Sequence, residues 1–148
     1  MTIRRMTEPD LEAVEYLATA ALPDVAVWTR PQLIDMLAKP SLYEAWVAEE
    51  AGSVVGFLYF HLVGEEAELD NLAVDPAWRR RGIAAGLLET AWQRAFQLGA
   101  TAMFLEVRRS NAAALRLYEC AGFSRLGTRA NYYTNPSEDA IRLVRKRL

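Results

Sequence analysis

Leu72-Ala73-Val74-Asp75-Pro76-Ala77-Trp78-Arg79-Arg80-Arg81-Gly82-Ile83-Ala84-Ala85-Gly86 reads as a strand, a turn and the start of a helix. Asp75-Pro76 ends the strand, because proline has no N–H for a sheet ladder and restricts the residue before it. From Gly82 to Leu98 the apolar residues recur at helical spacing, with Ile83, Leu87 and Ala91 on one stripe and Leu88, Trp92 and Ala95 beside it. A helix start presents unpaired N–H groups and the positive end of the helix dipole, and Gly82 with the small Ala84 and Ala85 lets an anion approach that backbone. A pyrophosphate fits such a place. The stretch is neither a P-loop nor a GxGxxG fingerprint, so the anion belongs to another kind of cofactor. Three arginines before a capped helix also fit a solvated loop; the order of the surrounding elements favours the anion site.

Upstream, Thr2–Met6 forms an opening strand, and Leu11, Val14 and Leu17 mark an amphipathic helix behind the cap-type residues Thr7–Asp10. An irregular stretch near Pro23–Trp28 leads to a second helix capped by Thr29, with Pro31 in its first turn. Glu44–Glu50 and Ser53–Leu62 make a hairpin around Ala51-Gly52, and Glu65–Val74 is the third strand of that group. Downstream, Gly99 closes the long helix, Ala102–Val107 is a short apolar strand carrying Glu106, and Asn111–Ala121 is a helix closed by Gly122. Ser124–Tyr133 and Ala140–Arg147 are two further strands. The order βααβββαβαββ is α+β in its hairpins, with a right-handed strand–helix–strand crossover in the middle whose parallel partners open a crevice at their carboxyl ends.

Composition narrows the chemistry. The chain has 148 residues, 52% hydrophobic and 24% charged, enough for a sizeable core and room for one domain, 1–148. A net charge of −2 argues against the broad positive surface of a nucleic-acid binder. Lys39 and Lys146 are the only lysines among 17 basic residues, which leaves few candidates for Schiff-base or phosphate-loop lysines. One cysteine, Cys120, and one histidine, His61, exclude an intrachain disulfide and a His/Cys zinc cluster, so no metal is expected. With no apolar run long enough for a signal peptide or a membrane span, a cytoplasmic protein with no membrane partner is expected.

The stretch around Arg79 resembles the GNAT family of acyl-CoA-dependent N-acetyltransferases, whose Q/R-x-x-G-x-G/A signature is matched by Arg79, Gly82 and Ala84 behind a strand. Leu105-Glu106-Val107-Arg108-Arg109-Ser110-Asn111, continuing through Leu117-Tyr118-Glu119 to Gly122-Phe123, is similar to the LEVRxSN…LYExxGF block of RimI-type protein N-terminal acetyltransferases. Arg129, Asn131-Tyr132-Tyr133 and Glu138-Asp139-Ala140 continue that likeness, and Trp28-Thr29 resembles the family's W-S/T before the second helix, with Val27 where proline is customary. Asp70 is an unusual choice in its strand. The resemblance implies a GNAT fold: helices layered on both sides (α/β/α) of a mixed, mostly antiparallel sheet of six or seven strands, with one splayed parallel pair and about four helices. It also implies acetyl-CoA as cosubstrate, its pyrophosphate held by Arg79, Arg80, Arg81, Gly82, Ile83, Ala84 and Ala85. Leu72, Ala73 and Val74 would offer backbone groups to the pantetheine arm.

The resemblance makes Glu106 the base, Tyr118 the acid that protonates the sulfur, and Asn111 a contact to the CoA arm. Glu106 lies in the apolar run Met103–Val107, where desolvation raises a carboxyl pKa toward that of a useful base; an ion pair with Arg108 or another arginine is the other reading. Seven residues turn a helix through almost two revolutions, so Asn111 and Tyr118 share a face with Leu115 between them. A plain helix cap for Asn111 and a packed core aromatic for Tyr118 remain open. Trp28, Arg129, Tyr132 and Tyr133 are the candidates for the acceptor entrance, the last three on a hairpin whose aromatics also suit ordinary cross-strand pairing.

The acceptor follows from amine chemistry. About one α-amine in ten is neutral at pH 7, against roughly four lysines in ten thousand. An acyl-cysteine route through Cys120 is disfavoured, because the helix C-terminus raises a thiol pKa and only His61 could partner it. His61 itself reads as a strand-surface or core residue. The expected reaction is direct attack by a protein N-terminal amine, that of an N-terminal alanine of a small-subunit ribosomal protein by the resemblance, in a monomeric enzyme. A GNAT enzyme for a small amine or internal lysine, and a non-catalytic acyl-CoA sensor, are the alternatives.

Overall fold

The computed structural model describes residues 1–21, 28–133 and 137–147. In chain order the elements are β1 (Thr2–Arg5), α1 (Leu11–Ala21), α2 (Arg30–Leu37), β2 (Tyr43–Glu50), β3 (Ser53–Val63), β4 (Glu66–Val74), α3 (Ile83–Gln97), β5 (Ala102–Arg108), α4 (Ala112–Cys120), β6 (Ser124–Tyr133) and β7 (Glu138–Lys146). Short 3-10 turns, Glu8–Asp10 and Pro76–Trp78, precede α1 and follow β4. The order expected from the periodicities is the order found. Most of the irregular stretch expected near Pro23–Trp28, residues 22–27, lies outside the described residues, as do residues 134–136 of the turn between β6 and β7.

All seven strands join one sheet in the order β1-β2-β3-β4-β5-β7-β6. Neighbours are antiparallel except β4 and β5, the parallel pair joined by α3. On one face Leu11, Val14 and Leu17 of α1 and Leu33 and Met36 of α2 pack on Val47, Phe57, Tyr59 and Ala73. On the other, Ile83, Leu87, Leu88 and Ala91 of α3 and Leu115 and Tyr118 of α4 pack on Leu58, Phe60, Met103, Leu105 and Leu143. The β2–β4 part of the sheet is thus covered on both sides, as its near-continuous apolar runs require, whereas β6 is exposed along nearly its whole length.

Two bulges decide which side chains face which layer. The β2–β3 register passes from Ala48↔Gly56 to Glu49↔Val54, so Val55 has no opposite number. The β3–β4 register passes from Tyr59↔Asn71 to Phe60↔Leu69, so Asp70 is the extra residue. An extra residue inverts the alternation beyond it: Ala67 and Leu69 before the bulge, and Leu72 and Val74 after it, all pack on the α3 side. Asp70 and Asn71 consequently turn toward the other side in succession. Gly56 lets α3 lie close to β3, since a Cβ there would stand 3.2 Å from Ile83 Cγ2, Leu87 Cδ1 and the Ala73 carbonyl oxygen.

The first strand is tied to α1 by charge. Buried Asp10 accepts hydrogen bonds from Arg4 Nη1 and Nη2 (2.8 and 2.9 Å) and from the Thr7 amide (2.8 Å). The Arg4 guanidinium holds the Asp10 carboxyl below its ordinary range, so this contribution is complete at neutral pH and is lost as pH falls through the lowered value. Asp10→Ala is expected to lower unfolding free energy by about 1–3 kcal/mol at pH 7. In urea titrations the gap between the parent and the variant should narrow below about pH 4.

Candidate active site

β4 and β5 pair for only three rungs, Glu66↔Ala102, Ala67↔Met103 and Glu68↔Phe104. Beyond Glu68 the bulge at Asp70 twists β4 away, while β5 stays paired with β7 from Ala102 to Arg108. The strands therefore splay, and a cavity of about 1090 Å³ opens between Leu69–Leu72 and Leu105–Arg108, closed below by α4 and at the side by β6 and β7. Glu106, Asn111, Tyr118, Arg129, Tyr132, Tyr133 and Leu72, all singled out from the sequence, line it.

The acid and base candidates reach this cavity from opposite sides of the sheet. Leu105 and Val107 belong to the α3–α4 core, so Glu106 between them faces the other way, whereas Tyr118 projects from α4 within that core. They line one cavity because the strands between them have parted. Glu106 is largely buried, as its apolar run implied, and its Oε1 accepts from Arg129 Nη1 (2.7 Å) and Arg142 Nη1 (3.0 Å). Glu106 Oε2 is buried with no hydrogen-bond partner among the described residues. The ion-pair and base readings thus occupy different oxygens of one carboxylate. Burial pushes the Tyr118 phenol well above its ordinary range, so the hydroxyl keeps its proton to donate.

Beyond the carboxyl end of β4, α3 starts without a side-chain cap. Gly82 has φ +75°, and the first helical bond runs from the Gly86 amide to the Gly82 carbonyl. The amides of Ile83, Ala84 and Ala85 find no acceptor among the described residues, and neither Arg79 nor Arg80 has a carboxylate partner there. Arg80 is itself left-handed, at φ +65°, a conformation costing a non-glycine residue about 1–2 kcal/mol. Arg81 lies over the Trp78 ring, 4.6 Å from its centroid. Unpaired amides, free guanidiniums and a residue without a Cβ suit the pyrophosphate that the sequence pointed to.

Residues 10–123 match the model of the acetyltransferase (GNAT) family. The chain belongs to the GNAT acetyltransferase family. Within that family it is 44% identical over 92 residues to the ribosomal protein bS18-alanine N-acetyltransferase of Escherichia coli K12, a match covering 61% of this chain and 62% of that one. The chain thus spans about three fifths of that relative in the match. The crystal structure of the ribosomal-protein-S18-alanine N-acetyltransferase from E. coli superimposes with a TM-score of 0.87 at 33% identity, covering 98% of this chain and 92% of the other. An acetyltransferase of Salmonella typhimurium solved with acetyl-CoA gives 0.85 at 25% identity, over 99% and 93%. The seven-stranded sheet with its splayed pair is the GNAT architecture that the resemblance implied.

In this GNAT chain several candidates sit elsewhere than expected. Asn111 and Tyr118 both line the cavity, as their seven-residue spacing implied, with Ala114 rather than Leu115 between them; Leu115 turns into the core. Asn111 Oδ1 accepts from the Ala114 amide (3.1 Å), so the cap reading holds and the residue lines the cavity as well. Ala73, Val74 and Ile83 have buried side chains and can offer only backbone to a ligand. Trp28 does not line the cavity; its ring packs on Tyr59 and Tyr43, with centroids 4.9 and 5.8 Å away.

The sequence reading missed Arg142, whose Nη2 holds Glu68 at 2.6 Å while Nη1 holds Glu106. Its signal was an arginine between the buried Ile141 and Leu143 of an alternating strand. It also missed Glu138, which accepts from Arg108 Nη1 (3.1 Å) and the Ser110 amide (2.6 Å) and so anchors the loop before α4 to β7. Arg142→Met should leave Glu68 without its cation and Glu106 with Arg129 alone, and cost about 1–3 kcal/mol. The more exposed Arg129→Met should cost under about 1 kcal/mol, and chemical denaturation of both variants checks the contrast.

Proposed function

We infer that the chain transfers the acetyl group of acetyl-CoA to the N-terminal α-amine of a protein, the N-terminal alanine of a small-subunit ribosomal protein, by direct attack in a ternary complex. The observation that carries this reading is the splay, which lets Glu106 and Tyr118, from opposite faces of the sheet, line one cavity. The names of the E. coli relatives support the choice of acceptor. The reading assigns one domain over 1–148 to a monomeric, cytoplasmic enzyme that needs no metal; among the described residues no helix is long and apolar enough to cross a membrane.

Acetyl-CoA supplies an activated thioester. The loop amides of residues 82–85 with Arg79, Arg80 and Arg81 hold its pyrophosphate, and the open edge of Leu72–Val74 with Asn111 aligns its arm. Glu106 Oε2 accepts a proton from the acceptor nitrogen, through a water where the gap requires one. Tyr118 gives its proton to the departing sulfur. Arg129 and Tyr132, stacked at 4.7 Å, and Tyr133, under Arg108 at 4.5 Å, form the lip over which the acceptor peptide enters. Trp28 backs the opposite wall, through Tyr43 against His61 and Tyr59 against Asn71.

The test is incubation with acetyl-CoA and an equimolar panel of short peptides, varied at residue 1 and carrying internal lysines, with the added acetyl located by mass spectrometry. Acetyl on the α-amine of Ala-starting peptides is the expected outcome. Acetyl on lysine overturns the acceptor, and CoA binding without transfer to any peptide overturns the protein acceptor in favour of a small amine or a non-catalytic sensor. Tyr118→Phe should reduce turnover by about 10²-fold while calorimetry shows CoA affinity unchanged.

A further inference from the structure

The cavity wall carries a second proton-accepting group that the mechanism above leaves unused. His61 on β3 meets Asp70 at the β4 bulge, with His61 Nδ1 2.8 Å from Oδ2 and 3.0 Å from Oδ1. Both residues line the cavity, and both are mostly buried, with side chains 27% and 17% exposed. A carboxylate acceptor on both oxygens places the proton on Nδ1 and leaves the lone pair on Nε2. His61 Nε2 has no hydrogen-bond partner among the described residues. Asp70, the unpaired residue of the bulge, lies on the same side of β4 as Glu68, the register partner of His61.

Charge compensation separates Asp70 from its neighbours. Glu68 and Glu106 are each held by Arg142, and Glu106 also by Arg129. Among the described residues Asp70 has only His61, so its negative charge is left for an imidazolium or an incoming ammonium. Burial pushes its carboxyl above the ordinary range, with the His61 bond opposing. His61 itself is faced by Tyr43 of β2, at 5.6 Å between ring centroids, and by Glu68, its register partner on β4. Across the cavity stand Glu106 and Arg108 of β5, Arg129, Tyr132 and Tyr133 of β6, and Arg142 of β7.

Proton arithmetic asks for such a pair. An α-ammonium carries three N–H bonds and the product amide one, so two protons leave the nitrogen. Glu106 offers one free oxygen, and Tyr118 must keep its proton for the sulfur. We propose that His61, oriented by Asp70, is a catalytic base that takes the first proton from the acceptor's ammonium group, leaving to Glu106 the second. The lone pair freed on nitrogen forms the C–N bond as the C–S bond breaks, and the sulfur takes that electron pair and the Tyr118 proton. Glu106 takes the remaining nitrogen proton and restores the phenol, and His61 releases the first proton to solvent through its exposed edge. The proposal rests on acetyl transfer to an amine and adds which residue receives each proton.

His61 is the single histidine of the chain, so a two-bond ¹H–¹⁵N spectrum reads its tautomer without assignment. The Nδ1–H form is expected in the parent, and a mixture of tautomers in Asp70→Asn. Kinetics then separates the two protons. His61→Asn, which keeps a donor for Asp70 but has no basic nitrogen, should lower kcat/KM for an Ala-starting peptide about tenfold at pH 7, where about one α-amine in ten arrives neutral. That deficit should vanish above the amine's own pKa of about 8, where the nucleophile arrives neutral. Asp70→Asn should lose a few-fold with the same recovery, while Glu106→Gln shows none. A deficit in His61→Asn that is absent, constant with pH or matched by lost CoA affinity overturns the proposal, as does an Nε2–H tautomer in the parent. Acetyl transfer by the parent with a silent His61→Asn leaves the enzyme reading standing alone. A parent that acetylates no peptide overturns both.

Discussion

The structure depends on the early end of one strand pairing. β4 and β5 share three rungs and then part, because β4 carries an extra residue at Asp70 while β5 stays committed to β7 along its whole length. Each strand keeps one paired edge and exposes the other to the gap. Buried backbone groups without partners are costly, so an edge of this kind persists only where water or an extended ligand can lie against it. The same parting brings a carboxylate from one face of the sheet and a phenol from the other into a common space. A regular sheet of the same composition would keep them apart, with a layer of backbone between.

Arginine is the working cation throughout this site. Arg142 reaches Glu68 with one nitrogen and Glu106 with another, and its guanidinium plane lies 4.8 Å from the Phe104 ring centroid. A lysine offers a single point charge and could not divide itself between two carboxylates while stacking on a ring. Arg108 and Arg129 repeat the pattern, each paired to a glutamate and each stacked on a tyrosine. The near-absence of lysine, which from composition only ruled chemistries out, therefore has a structural counterpart. The cavity is braced by planar forks that stay charged at any working pH.

Local signals made most of the fold legible. Asp75-Pro76, Gly82, Gly99 and Gly122 mark element ends that the structure confirms, since chain stiffness and left-handed geometry are written in single residues. The seven-residue spacing from Asn111 to Tyr118 does bring both to the cavity, but with Ala114 rather than Leu115 between them. Trp28 shows the limit of motif matching: its neighbours Tyr43 and Tyr59 come from strands well downstream, and only the folded sheet reveals that they fill the space around it. The roles of Arg142 and His61 were hidden for the same reason. Asp70 looked odd in its strand, yet its meeting with His61 depended on a β3–β4 register that no local pattern discloses.

The sheet order also bears on how the molecule comes into being during synthesis. β7 stands between β5 and β6, although it is made after both. Until residues 138–146 emerge, β5 has no partner on its outer side, β6 has no sheet to join, and Glu106 lacks Arg142. The N-terminal strands and α1–α3 can assemble as hairpins and a crossover while translation continues. The cleft walls, by contrast, close only when one late strand slots in. A nascent chain of this protein is thus unable to form its own cleft before β7 has emerged, and that competence arrives in a single step with one strand.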